Sequence, residues 1–318
     1  MKRFLKGFFI LFLISFIAFS LYGVYEWHLF STQNKKKLKN QDAITLVFAG
    51  DDNYIESLSV ALTSVNMNTK TPVEVFILTE GFSDKNTYFI RQLDDKLANI
   101  NVRIQSINAD VFEMFPINER WSKSIYFRYL IPELLPLKKR ALYIDGDTLI
   151  FNDLSDFFNS DLEHSVIAGV SDFEESQFLK KPLFKQHTFY INSGVLLMDL
   201  EKFRDLKLTR ELFKATDIYK NEFTHYDQDA INFVLKERIK PLSIKYNAQH
   251  KIHIPFNKVI YHYSGTEKPW KKRNLSHYEW YKYQTYRNAL LKNDPFPTKD
   301  YLKYLVDKIL YYLTFAFN

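Results

Sequence analysis

The sequence contains no cysteine, so zinc–thiolate sites, iron–sulfur clusters, thiol nucleophiles and structural disulfides are all excluded. Any metal must be held by Asp, Glu, His or carbonyl oxygen. Internal repeats are absent, and low-complexity sequence is confined to one lysine-rich stretch. Positive charge is sparse where a nucleic acid would need it. The net charge is +6, but residues 1–40 carry seven basic residues against Glu26 alone, and residues 268–318 carry ten against four acids. The body between them, residues 41–267, holds 26 basic and 32 acidic residues, which is not the charge pattern of a nucleic-acid-binding body. What is abundant is apolar: 46% of the 318 residues are hydrophobic, with 29 Phe and 21 Tyr. That excludes wholesale disorder and a disulfide-stapled mini-protein, and it suits one large α/β domain or two modest ones.

Residues 7–25 (GFFILFLISFIAFSLYGVY) run nineteen positions without a charge, the length needed to cross about 30 Å of hydrocarbon as a helix. The run is too long for a signal peptide, and no A-x-A-like site follows it. An uncleaved membrane anchor over residues 1–28 is therefore expected, with Tyr22, Tyr25 and Trp27 as its interfacial aromatic belt. Orientation is nearly a tie, because Lys2, Arg3 and Lys6 precede the run while Lys35, Lys36, Lys37 and Lys39 follow it. Residues 29–42 read as a basic polar linker. At the far end, residues 296–318 carry apolar side chains at helical spacing with Lys303 and Lys308 among them. Such a tail reads either as an interfacial helix or as a terminal helix packed on the core.

Between these ends, short apolar runs alternate with helical stretches. Strands are expected at 43–50, 73–79, 102–107 and 140–145, with helices at 55–65 (amphipathic), 83–97 (capped by Ser83) and 124–135 (interrupted near Pro132). This alternation implies a mostly parallel sheet covered by helices. Such sheets bind ligands beyond the carboxyl ends of their strands, where Asp51 and Asp145 both fall.

Five segments could carry chemistry. In GDDNY (50–54) the polar residues are either a turn with a helix cap or a set of groups that hold a base and ribose. In ALYIDGDTLIFNDL (141–154), Asp145 and Asp147 flank Gly146, whose freedom would allow the turn that brings both carboxylates to one hard cation. A plain Asp-Gly hairpin turn is the bland alternative. Dehalogenase-like phosphatases also carry D-x-D-x-T after a strand, but here the fifth position is Leu149, and about three strands precede the motif. FYINSGVLLMDL (189–200) interrupts an apolar strand with Asn192, Ser193 and Gly194; a bulge would explain the glycine, while a buried Asn needs partners. HYDQDAINFVL (225–235) enters a helix with two acids around Gln228, more than capping requires. VIYHYSGTEKPW (259–270) offers His262 as a borderline metal ligand, Gly265 for close backbone approach and Lys268 as a cation for a phosphate.

Taken in this order, VFAGDDNY, YFRYLIPELLP, ALYIDGDTLIFNDL, INSGVLLMDL, HYDQDAIN and HYSGTEKPW resemble the motifs of glycosyltransferase family 8, and especially of its bacterial lipopolysaccharide and lipooligosaccharide galactosyl- and glucosyltransferases. The resemblance covers roughly residues 44–295. It implies a GT-A fold, a Rossmann-like nucleotide-diphospho-sugar transferase domain over 43–295. It also implies transfer of a hexose from a UDP-sugar to a saccharide hydroxyl with retention at the anomeric carbon. By the same resemblance Asp51, Asn53 and Tyr54 would hold uridine, and Asp145, Asp147 and His262 would bind Mn²⁺ or Mg²⁺. Gly265 and Lys268 would contact the diphosphate. Arg128, Asp172, Asn192, Asp227 and Gln228 would surround the transferred sugar. Because Gln228 is an amide rather than the carboxylate nucleophile of retaining hydrolases, a front-face substitution is favoured.

These readings describe a membrane-tethered hexosyltransferase on the cytoplasmic face of a bacterial inner membrane, building a lipid-linked glycan and taking no nucleic acid partner. Two other readings stay open. One is a type II secretory-pathway member of the family, to which Asn274-Leu275-Ser276 would offer a glycosylation sequon. The other is a membrane-anchored protein that keeps the fold without turnover.

Overall fold

The structure is a computed structural model that describes residues 43–119, 121–249, 257–266 and 268–270, with Glu279, residues 282–284 and residues 286 and 287 beyond them. Residues 35–272 form one compact unit; residues 1–34 and 273–318 form the other. In the second unit, Lys282 Nζ stands 5.7 Å from the ring centroid of Tyr286. The apolar run at 7–25 and the tail at 296–318 lie outside the described residues. Among the described residues no helix is long and apolar enough to cross a membrane.

Strands β1 (Ile44–Ala49), β2 (Val73–Thr79), β3 (Ile100–Ser106), β4 (Arg140–Ile144), β6 (Ile167–Ser171), β7 (Ile191–Asp199) and β8 (Ile239–Pro241) build a seven-stranded sheet in the order β3-β2-β1-β4-β7-β6-β8. β1, β2 and β7 are buried along nearly their whole length, as expected of strands covered on both faces. A smaller sheet has the order β5-β10-β9, formed by β5 (Thr148–Ile150), β9 (Ala248–Gln249) and β10 (Ile260–His262). Four helices of ten or more residues are described: α1 (Ile55–Asn68), α2 (Asp84–Lys96), α3 (Leu208–Ile218) and α4 (Tyr226–Leu235).

One feature refines the sequence reading and two differ from it. The large sheet is mostly parallel, as expected, but one strand is reversed: β7 runs antiparallel to both β4 and β6 while the remaining pairs are parallel. The stretch between β6 and β7 contains only short turns, including Glu175–Phe178 and Pro182–Phe184, and so lacks the crossover helix that a parallel return requires. Second, α1 is not two-faced: residues 57–66 are all buried. Its hydroxyls tolerate this by bonding back to their own helix, Ser59 Oγ to the Ile55 carbonyl at 2.6 Å and Thr63 Oγ1 to that of Ser59 at 2.8 Å. Ser64 Oγ, which donates to Ala61, also accepts from the Ile150 N–H of β5 at 2.9 Å.

Third, residues 124–135 are not one interrupted helix. Lys123–Leu130 is a 3₁₀ segment, followed by a single α turn, Ile131–Leu134, with Pro132 in its first turn. Tyr126, Phe127, Arg128 and Tyr129 are all buried in succession. They point to different neighbours at once: Tyr126 to the ring of Phe115 at 4.9 Å, and Tyr129 to the hydroxyl of Thr216 at 3.2 Å. A tight three-residue turn distributes four consecutive side chains in this way, where one amphipathic α face could not. Phe112, Phe115, Tyr126 and Phe213 form an aromatic cluster here.

Candidate active site

The site lies beyond the carboxyl ends of β1 and β4 and at the amino end of the reversed strand β7. Asp51 caps the 3₁₀ turn Asp52–Tyr54, its carboxylate accepting from Asn53 N at 2.9 Å. Asp52 reaches α2, where it accepts from Ser83 N at 3.1 Å and from Asn86 Nδ2 at 2.7 Å. Asn53 is exposed and Tyr54 half-buried. The structure therefore puts Asp51, Asn53 and Tyr54 on one short turn, and gives Asp51 a capping contact.

At the end of β4 the chain passes from the large sheet to the small one through Asp145-Gly146-Asp147. Gly146 does not occupy the left-handed region of backbone space, and a Cβ there would meet Leu58 Cβ at an ordinary 3.8 Å. The turn does not depend on that glycine, contrary to the sequence reading. β5 pairs antiparallel with β10 and sets His262 opposite Thr148. As a result His262 Nε2 lies 3.2 Å from Asp147 Oδ1 and 3.8 Å from Asp145 Oδ2. These three side chains offer ligand atoms that all fall within 4.8 Å of one another. Lys268 Nζ pairs with Asp147 and also donates to the Tyr263 carbonyl at 2.6 Å. Burial opposes ionisation of Asp147, but the Lys268 ammonium beside it holds its carboxyl well below the usual carboxylate range. Gly265 adopts φ 102°, a left-handed conformation that favours glycine.

The glycine that the centre requires is Gly194. A Cβ built there would lie 2.3 Å from His262 Cε1 and 2.5 Å from Asp145 Oδ2. The strand thus passes directly beneath the carboxylate and imidazole, and only a residue without a side chain fits.

β7 reaches this position through an irregularity. Ser171 pairs with Ile191 and Gly169 with Leu196, so residues 192–195 depart from the ladder to β6. The start of the strand is pinned to α4 by Asn232, which accepts from Ile191 N at 2.8 Å and donates to its carbonyl at 2.9 Å. The backbone groups released by the irregularity find side-chain partners. Ser193 N donates to Gln228 Oε1 at 3.0 Å, and Arg128 Nη1 donates to the Ser193 carbonyl at 2.5 Å.

Arg128 is buried, and its guanidinium lies 3.0 Å from Asp145 Oδ1 and 3.2 Å from Asp227 Oδ2, with the Tyr143 ring 4.3 Å away. Burial opposes its charge, yet Asp227, Tyr143 and Asp145 raise its pKa further. Asp227, desolvated, is pushed up to about 6 despite Arg128. Gln228 Nε2 donates to Asp172 Oδ2 at 3.1 Å, and Asn192 Nδ2 to the same oxygen at 3.0 Å. The second acid of the DQD run does a different job. Asp229 faces away and caps α4 by accepting from Thr224 N at 2.6 Å and His225 N at 2.8 Å.

Arg128, Asp172, Asn192, Asp227 and Gln228 are thus joined in one hydrogen-bonded group beside Asp145, Asp147 and His262. Two further residues take part that the sequence reading did not include. Asn247 connects Asn192 to His262, and Gln249 steadies the Asp172 loop by accepting from Phe173 N at 3.1 Å and donating to the Ser171 carbonyl at 3.0 Å. Both sit in a polar stretch with no apolar periodicity to mark them.

Around the aspartate pair, four carboxylates (Asp145, Asp147, Asp172 and Asp227) face two fixed cations (Arg128 and Lys268). A divalent cation would balance that charge. The donor set of two hard oxygens and one imidazole suits a first-row or alkaline-earth ion, and the space kept open above Gly194 fits it as well.

The fold and this site together define a nucleotide-sugar transferase architecture. The chain matches the glycosyl transferase family 8 profile over residues 45–274 and belongs to that family. Among curated relatives it is 28% identical to a lipopolysaccharide 1,2-glucosyltransferase of Escherichia coli, across 81% of this chain and 80% of that one. It is also 25% identical to general stress protein A of Bacillus subtilis, across 78% and 96%. The solved galactosyltransferase LgtC, in complex with donor and acceptor sugar analogs, superposes with a TM-score of 0.69 at 24% identity, covering 82% of this chain and all of that one. At that identity the likeness is one of fold.

Proposed function

We propose that this glycosyltransferase is a divalent-metal-dependent, retaining hexosyltransferase. It moves galactose or glucose from a UDP-sugar to a saccharide acceptor of the lipopolysaccharide or lipooligosaccharide core type. The observation that carries the reading is the convergence of Asp145, Asp147 and His262, contributed by two sheets and placed at the mouth of the parallel strands. The name of the Escherichia coli relative supports the acceptor class.

Asp145, Asp147 and His262 would hold Mn²⁺ or Mg²⁺. Bound there, the cation would act as a Lewis acid for the departing diphosphate. Lys268, beside Asp147, adds a second positive charge to the same place. Asp51, Asn53 and Tyr54 receive the nucleoside. Arg128, Asp172, Asn192, Asp227 and Gln228 surround the transferred hexose. Gln228 offers no carboxylate, and its amide oxygen already accepts from Ser193 N and from Asn192 Nδ2 at 3.1 Å. It is therefore a fixed positioning group, which favours front-face substitution over a covalent intermediate on this side chain. The charge-free run at 7–25 supports a membrane tether, and the cytoplasmic face is taken for the catalytic unit because UDP-sugars are made there.

The test is UDP release by the full-length protein in detergent, measured with UDP-glucose and with UDP-galactose, with and without EDTA. Chelation should abolish release and added Mn²⁺ should restore it. Full turnover of both donors by Asp147→Ala in EDTA would refute the metal-dependent mechanism.

A further inference from the structure

We propose that Asn247 is a positioning residue that fixes His262 in the tautomer protonated on Nδ1, leaving the Nε2 lone pair for a divalent cation. The inference rests on the metal reading above and extends it to a residue outside the ligand set.

Asn247 is fully buried and directly precedes β9, the strand that runs parallel to β10 beside His262. Its Oδ1 lies 3.1 Å from His262 Nδ1, and its Nδ2 donates to Asn192 Oδ1 at 3.0 Å. Neighbouring backbone groups decide which end of each amide is oxygen. Gly194 N can only donate, so the Asn192 atom 3.1 Å away is its oxygen. Ser193 N fixes Gln228 Oε1 in the same manner. The Asn192 amide nitrogen then donates to Gln228 Oε1 and Asp172 Oδ2. With Asn192 Oδ1 already an acceptor, Asn247 must turn its nitrogen toward it and its oxygen toward His262. An amide oxygen accepts and never donates, so the imidazole proton has to be on Nδ1.

The neutral ring then carries its lone pair on Nε2, the atom that faces Asp147 and Asp145. Among the described residues, no hydrogen bond other than that to Asn247 keeps the proton on Nδ1. A proton on Nε2 would point into the space between the two carboxylates, where the cation has to sit. Partners that orient a metal-ligating histidine typically contribute about 10–100-fold to metal affinity.

The experiment titrates the full-length protein with Mn²⁺ alone, at one fixed pH and without donor sugar, following binding by calorimetry. Asn247→Ala should weaken Mn²⁺ binding by about 10–100-fold. Asn247→Asp keeps an acceptor against Nδ1–H and should weaken it less. In a His262→Ala background, Asn247→Ala should have no further effect. Nitrogen-15 NMR of the unmodified protein's imidazoles should show His262 protonated on Nδ1, a readout that needs no variant to fold. Protonation on Nε2, wild-type affinity in Asn247→Ala, or an equal loss in the His262→Ala background would each overturn the proposal. No saturable Mn²⁺ binding by the unmodified protein would overturn the metal reading and this inference with it.

Discussion

Gly194→Ala separates the glycine that the metal centre needs from the one that its motif advertises. A Cβ at residue 194 lies 2.3 Å from His262 Cε1, whereas carbon atoms pack at about 3.5–4.0 Å. One partner must therefore retreat by about 1 Å. The imidazole is held on the far side by Asn247, and Asp145 is held by Tyr143 OH at 2.7 Å and Arg128 at 3.0 Å. The strand cannot yield either, because the Gly194 carbonyl accepts from Asp145 N at 2.8 Å. Metal–ligand distances in a well-formed site lie within about ±0.2 Å of their usual values, far less than this displacement. Mn²⁺ affinity in Gly194→Ala should thus fall by about 100-fold or more, with an overpacking cost of about 1–3 kcal/mol in urea unfolding. Gly146→Ala, inside the D-x-D itself, meets Leu58 Cβ at 3.8 Å on an unstrained backbone, so it should keep its metal affinity and change stability by no more than about 1 kcal/mol. Calorimetric Mn²⁺ titration of the two variants decides the matter. Wild-type affinity in Gly194→Ala, or a metal-binding loss confined to Gly146→Ala, would refute the packing argument.

Arg128→Met leaves Asp145 and Asp227 without their shared cation, and should lower unfolding free energy by about 3–5 kcal/mol; an unchanged urea midpoint would count against the ion-pair network. Asp227 binds its proton more tightly when folded, with a carboxyl pushed up to about 6 chiefly by burial. Its stabilising effect is therefore complete below the unfolded value of about 3.9 and lost as pH rises through about 6. In chelator, Asp227→Asn should flatten the fall in stability between those values by on the order of 3 kcal/mol, and parallel pH profiles for variant and parent would sink this account.

The sheet's parallel core was readable because β1, β2 and β4 are apolar runs ended by polar residues, and a strand buried on both faces leaves that trace. The reversal of β7 left none, since direction depends on what connects β6 to β7 and not on the strand's own composition. The small sheet was equally silent: strands of two or three residues show no period. Within the site, Asp145, Asp147 and His262 could be named because their side chains advertise metal chemistry. Asn247 could not, because an amide in a polar stretch acquires its role only from neighbours that are distant in sequence. Arg128 and Asp227 were placed by resemblance, whereas their pairing is a property of the fold. Asp229, adjacent to both Gln228 and a helix end, shows that two identical acids two positions apart can divide between capping and the site.

The division of the centre between two sheets also sets when it can exist. Asp145 and Asp147 lie at the end of β4, while Lys268, the partner of Asp147, is 121 residues further along the chain. At roughly 5–20 residues per second of synthesis, the acidic pair emerges roughly 6–24 seconds before that ammonium. β5 likewise waits for β10 before it has a strand to pair with. A nascent chain therefore holds Arg128, Asp172, Asn192, Asp227 and Gln228 while the cation site proposed above still lacks His262. On the metal reading proposed above, capture of an ion by all three side chains would come only after the ribosome has passed His262, so donor turnover would begin only once β10 is in place.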